Sequence, residues 1–317
     1  MTPFPFARAA AIRARMPEPH LFATRGGPLE CALDGAPPRP DAPAVLCLHG
    51  GAGGFDQGLL LAAAALGEPR LDAHCILAPS RPGYLGTPLA TGASPEAQAD
   101  SYADLLDRLG LRDAVVMAVS GGGPSALQFA LRHRDRCRGL VMISACAARL
   151  EVRLPWQYHL MRLVVRVPAL AAAVGRRAIR KPERALARSV ADPAARSRLL
   201  ADSESTALWL ALQASVGIRL AARIPGTDND TARFRASEGW PLEEIAVPVL
   251  AVHGTADRIV ELSHAEGLAA RVPDAELLAI AGGEHICLFT HRAVIRPRVE
   301  AFVARVVRPG KTPVLPV

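Results

Sequence analysis

Lysine is almost absent from this chain of 317 residues: Arg and Lys together number 37, yet Lys181 and Lys311 are the only lysines. Aromatics are scarce at 4%. No aromatic platform or recognition motif accompanies the net charge of +7, so nucleic acid is not expected as a partner. The six cysteines, Cys31, Cys47, Cys75, Cys137, Cys146 and Cys287, form no C-x-x-C pair, and several sit in apolar runs. Free buried thiols in a reducing, cytoplasmic setting are the simplest reading. H-E-x-x-H is missing and no His/Asp/Glu grouping has metal-ligand spacing, so neither a metal nor an organic cofactor is expected. No long uncharged apolar stretch exists, which argues against stable membrane insertion, and Met1 to Met16 lacks the apolar core of a secretory signal.

Half of the residues are hydrophobic, enough for a sizeable core. The positive charge is unevenly placed. Between Arg149 and Trp240 there are 16 basic and 8 acidic residues, against 21 and 22 in the remainder. A solvated basic face is expected there, with peripheral contact to anionic lipid as a second reading. No sequence feature specifies the oligomeric state.

Short apolar runs alternate with helical patterns. Strands are predicted over Leu21–Thr24, Leu29–Leu33, Ala44–Leu48, Cys75–Ala78, Ala114–Val119, Gly139–Ala145, Val247–Val252 and Glu276–Ile280. Helices are predicted over Gln57–Leu66, from Ser94 to about Gly110, after Pro124, around Leu268 and over Val294–Val307. Ser94 is an N-cap with Pro95 at the first helical position. The expected fold is α/β, a mostly parallel, doubly wound sheet with an inserted all-helical lid. Residues 20–148 and 241–317 form the core, 149–240 the lid, and 1–19 an N-terminal extension. The extension is read as loosely ordered or as a short amphipathic helix. Within the lid, His159 to Val174 is apolar with Arg162 and Arg166 on one helical face.

The organising stretch is Ala118-Val119-Ser120-Gly121-Gly122-Gly123. A serine between a buried strand and a helix sits on a sharp turn that tolerates only small residues two positions away, here Ala118 and Gly122. The usual pattern is G-x-S-x-G, so Ala118 is a departure. Gly121-x-Gly123-x-x-Ala126 also fits a dinucleotide fingerprint, but the next strand, Gly139–Ala145, carries no carboxylate to hold a ribose.

A serine hydroxyl becomes a strong nucleophile only beside a base. His285, in a loop after the last strand, is the candidate base; imidazole titrates near ~6.5 and can take and return a proton near neutrality. Asp257, after the strand ending at Val252, is the candidate orienting acid. The order Ser120, Asp257, His285 is that of hydrolases built on such a turn. Backbone N–H groups of Gly121 and of Gly51, with Ala52 as alternate, would stabilise a developing oxyanion. His49 and His253, at matching His-Gly positions, are read as turn-stabilising.

These motifs together resemble the α/β-hydrolase-fold serine hydrolases: His49-Gly50-Gly51-Ala52-Gly53, Arg81-Pro82-Gly83-Tyr84, Ala118 to Gly122, His253-Gly254-x-x-Asp257 and Gly283-x-His285. The resemblance runs from about Leu21 to Arg308, the lid excepted. It implies a Ser-His-Asp triad, an acyl-enzyme and no cofactor. It also implies that the Arg81–Tyr84 loop shapes the wall of the site. With Trp156, His159 and Trp209 of the lid, Arg81 and Tyr84 are the candidate pocket residues. The His-Gly-Gly loop is similar to that of proline iminopeptidases, but Ala52 stands where they carry Pro, and their lid glutamates have no located counterpart. A small or medium apolar carboxylic ester is the expected substrate. A C–C bond hydrolase, lactonase, thioesterase or aminopeptidase on the same triad is the alternative. A ligand-binding receptor or inactive paralogue is the non-enzymatic one.

Overall fold

The computed structural model describes residues 4–67, 71–151, 162, 186–187, 189–217 and 219–307. Trp156, His159 and all of the His159–Val174 stretch except Arg162 lie outside the described residues. Eight strands form one sheet: β1 (His20–Thr24), β2 (Gly27–Gly35), β3 (Ala44–Leu48), β4 (Cys75–Pro79), β5 (Ala114–Val119), β6 (Cys137–Ile143), β7 (Val249–Gly254) and β8 (Ala275–Ile280). Their spatial order is β1-β2-β4-β3-β5-β6-β7-β8. β1 and β2 form an antiparallel hairpin, β2 pairs antiparallel with β4, and every remaining pairing is parallel.

The central strands are buried on both faces, as continuous apolar runs require. Alternate side chains divide into two cores. Val45, Cys47, Val115, Met117, Val141 and Val252 face α2 (Phe55–Leu66) and the closing helix Arg292–Val307. Leu46, Leu48, Val116, Ala118, Leu140 and Ala251 face α3 (Pro95–Arg108) and α4 (Gly123–Arg132). Each fully buried Val, Leu or Ile contributes about 1.5–3 kcal/mol to this arrangement. The Ser94 hydroxyl caps α3 by accepting from the Ala97 N–H at 3.3 Å. All six cysteines are free and buried, and burial raises the thiol pKa of each.

Between β6 and β7 the described residues form no strand. They include α5 (Pro193–Ala201), α6 (Ser203–Gly217) and α7 (Ile224–Ala236). The N-terminal stretch is a helix, α1 (Phe4–Ala14), packed on α6; the loosely ordered alternative does not hold there, because Ala9 and Ile12 join the same apolar core as α6. The basic excess of the insertion is not all solvated either. Arg223, just before α7, is buried, and its guanidinium lies 2.6 Å from the Asp56 carboxylate of α2. A buried cation needs such a partner.

Candidate active site

β5 ends at Val119, and Ser120 adopts φ 51°, a left-handed conformation that a residue with a Cβ takes only under constraint. The constraint is visible in the surroundings. The Ser120 carbonyl accepts from the Cys146 N–H at 2.9 Å, which pins the turn to the exit of β6. A Cβ on Gly122 would lie 2.7 Å from the Leu48 carbonyl oxygen, and one on Gly50 would lie 2.9 Å from the Ser120 Cβ. Both glycines are therefore required for close packing of the turn against the β3 exit loop. Ala118, buried in the sheet, fits where the usual pattern has Gly.

Ser120, His285 and Asp257 come together from three loops. His285 Nε2 is 3.1 Å from Ser120 Oγ. His285 Nδ1 is 2.8 Å from Asp257 Oδ2. Asp257 Oδ1 accepts from the Ile259 and Val260 N–H groups at 2.8 and 3.1 Å. A carboxylate so placed accepts the Nδ1–H and leaves the Nε2 lone pair facing the serine hydroxyl. Burial alone would raise the Asp257 carboxyl. Hydrogen bonds from His253 and His285, the charge of an imidazolium and the Ile259 N–H outweigh it and hold the group well below the carboxylate range. His285 sits nearer, since His253 Nε2 is 3.5 Å from Asp257 Oδ2 and 2.8 Å from the Val260 carbonyl oxygen. His253 thus braces the Asp257 turn.

His49 is fully buried. Its Nε2 accepts from the Arg81 N–H at 2.9 Å, so its Nδ1–H donates to the Gly50 carbonyl at 2.7 Å. Burial, reinforced by the Arg81 charge, keeps the ring pKa well below the usual value, so His49 is a neutral turn-holder. Gly51 and Gly121 abut: a Cβ on Gly121 would be 3.4 Å from the Gly51 nitrogen. The Ala52 N–H instead donates to Thr227 Oγ1 of α7 at 3.2 Å.

Arg81 and Tyr84 are not among the described residues that line the cavity at Ser120. Both are fully buried behind the Gly50 loop. Arg81 Nε donates to the His49 carbonyl at 2.9 Å, and its two terminal nitrogens lie 3.1 and 2.5 Å from the Asp230 oxygens. The Tyr84 hydroxyl donates to Asp230 Oδ2 at 2.6 Å. Burial opposes the Arg81 charge, but the Asp230 carboxylate outweighs it and raises the guanidinium pKa. Burial and the same carboxylate raise the Tyr84 phenol well above its usual value, so it stays protonated as a donor. Asp230 lies in mid-α7 and had no sequence signal; neither had Thr227 or Glu284, whose carboxylate accepts from the Ala191 and Asp192 N–H groups at 2.9 Å.

The cavity at Ser120 has a volume of about 180 Å³. Among the described residues it is lined by Gly50, Gly51, Ser120 and His285, by the apolar Leu60, Leu61, Val119, Ile143, Leu212, Val216, Leu288 and Phe289, and by Gln57 and Gln213. Trp209 is not among these residues. It is buried in the core one turn before Gln213 on α6, and the following turns of that helix meet the cavity instead.

A parallel sheet that brings a serine on a strained turn to a carboxylate-backed imidazole is the architecture of a hydrolase. The chain belongs to the alpha/beta hydrolase fold family, whose model matches residues 43–292. It is 32% identical over 221 residues to a pimeloyl-[acyl-carrier protein] methyl ester esterase of Aromatoleum aromaticum, covering 67% of this chain and 81% of that one. It is 26% identical over 229 residues to a 2-hydroxymuconate semialdehyde hydrolase of Pseudomonas putida, covering 70% and 73%. Among solved structures it is similar to an alpha/beta hydrolase fold protein from Nakamurella multipartita. That match has a TM-score of 0.73 and 29% identity, covering 92% of this chain and 99% of the other.

Proposed function

We propose that this protein hydrolyses a carboxylic ester of a small or medium apolar substrate through an acyl-enzyme, with residues 149–240 acting as a lid. The observation that carries the reading is the run of hydrogen-bond distances from Ser120 Oγ through His285 to Asp257. Ser120 Oγ attacks the acyl carbon while His285 Nε2 takes its proton. Asp257 holds the ring in the required tautomer and stabilises the imidazolium without itself taking the proton. The Gly51 and Gly121 N–H groups donate to the oxyanion; Ala52, engaged by Thr227, does not. His285 then gives its proton to the leaving alkoxide. Water, activated by the same ring, attacks the acyl-enzyme and releases the acid. The ester preference is supported by the relative described as a methyl ester esterase, and the apolar preference by the cavity lining.

The relative described as a 2-hydroxymuconate semialdehyde hydrolase favours a second reading in which the substrate is not an ester, with cleavage of a carbon–carbon bond by the same three residues. Turnover of p-nitrophenyl butyrate beside a vinylogous 1,5-diketone separates the two. Ser120→Ala should lower the productive rate on the order of 10⁶-fold and abolish fluorophosphonate labelling. Wild-type turnover in that variant would reject both readings.

A further inference from the structure

Two cavities meet at a single side chain. The cavity at Ser120 is bounded by Leu60 of α2 and by Leu212 and Val216 of α6. A second cavity, of about 410 Å³, lies beneath α1 and is bounded by the same Leu60, by Ala63 of α2 and by Leu208 of α6. Leu208, Leu212 and Val216 are spaced four residues apart and so share one stripe of α6. Both spaces therefore follow one seam between α2 and α6. Leu60, only 1% exposed, is the residue the two linings share.

We infer that Leu60 is the residue that sets acyl-chain length in this enzyme. This rests on the reading of Ser120 as the acylated nucleophile. With Leu60 in place, an acyl group bound at Ser120 ends at the isobutyl side chain and occupies the smaller cavity. Shortening Leu60 joins the two spaces into one channel. A straight alkyl chain is the occupant that fits, because Leu212, Leu60 and Leu208 keep the passage between the two spaces apolar and one side chain wide. Among the described residues, the charged side chains Arg8, Arg15, Asp34 and Glu204 border the space beneath α1 and not the cavity at Ser120. A branched or aromatic acyl group is too wide to pass the gap left by one side chain.

The test is the ratio of kcat/KM for p-nitrophenyl decanoate to that for p-nitrophenyl butyrate. Leu60→Ala should raise this ratio on the order of tenfold, and the milder Leu60→Val should raise it less. Adding Ala63→Leu to Leu60→Ala refills the space beneath α1 and should return the ratio to the wild-type value. A wild-type ratio in both single variants overturns the inference. A raised ratio that survives Ala63→Leu overturns it too, by placing the extra room elsewhere. Failure of the wild type to cleave either ester in a Ser120-dependent way overturns the parent reading and this one together. Cleavage with an unchanged ratio overturns this one alone.

Discussion

Asp257 and Asp230 are both buried, both close to the turn that carries Ser120, and each is tied to a nitrogen base, yet they do different work. Asp257 faces His285, whose imidazole is the kind of side chain that can take and return a proton. Asp230 faces Arg81, a partner whose charge is permanent. The first pair can therefore follow a proton through a reaction cycle. The second is a fixed ion pair between α7 and the loop after β4, and it stiffens the His49–Gly50 carbonyls through Arg81. A carboxylate's role is set by what it neutralises rather than by its burial.

Exchanging each carboxylate for an amide should separate the two roles. Asp257→Asn should lower kcat by about 10⁴-fold, because the ring loses its enforced tautomer, while the protein still folds. The check is steady-state kinetics beside a denaturation curve. Asp230→Asn should act first on stability, by about 3–5 kcal/mol, since it leaves the Arg81 charge buried without a counter-ion. If Asp230→Asn instead matched Asp257→Asn in kcat at unchanged stability, the contrast would collapse. Replacing Arg81 by Met together with Asp230→Asn sharpens it. Stability should partly return because no charge is stranded, whereas kcat should drop because the loop carbonyls lose their donor.

Acid should also distinguish the pairs. The folded Asp257 carboxyl lies below its unfolded value, near ~3.9 for a free side chain, so its contribution to stability is complete above that range. It is lost as pH falls from there toward the folded value. The stability gap between wild type and Asp257→Asn should thus narrow between pH ~5 and ~2. Activity should also fall in acid, because the proposed mechanism needs a neutral base at Nε2; a rate flat into the carboxylate range would remove His285 from that role. The smallest effect is expected at Thr227. Thr227→Val removes the acceptor for the Ala52 N–H, a loss of about 0.5–1.5 kcal/mol visible in thermal melts.

The three polar groups at the site were legible in the chain because each closes a strand. Ser120, Asp257 and His285 follow apolar runs, and a parallel sheet places the ends of such runs along one edge. Asp230, Thr227 and Glu284 were not legible. A carboxylate or hydroxyl on a helix, or in a loop, of a charged chain carries no local mark of the partner it will meet 92 to 175 residues away. Arg81 and Tyr84 follow the same loop but are buried away from the cavity, since spacing does not show which way a side chain turns.

What the string of residues determined was the alternation of strand and helix, the strained serine turn and the identity of its partners. Periodicity and small-residue spacing are local properties that any neighbourhood must respect. What tertiary packing alone decided was which charge answers Arg81, which amide is left beside Gly121 and where Leu60 divides the seam. Those outcomes depend on distances between segments far apart in the chain, and only the assembled layers fix them.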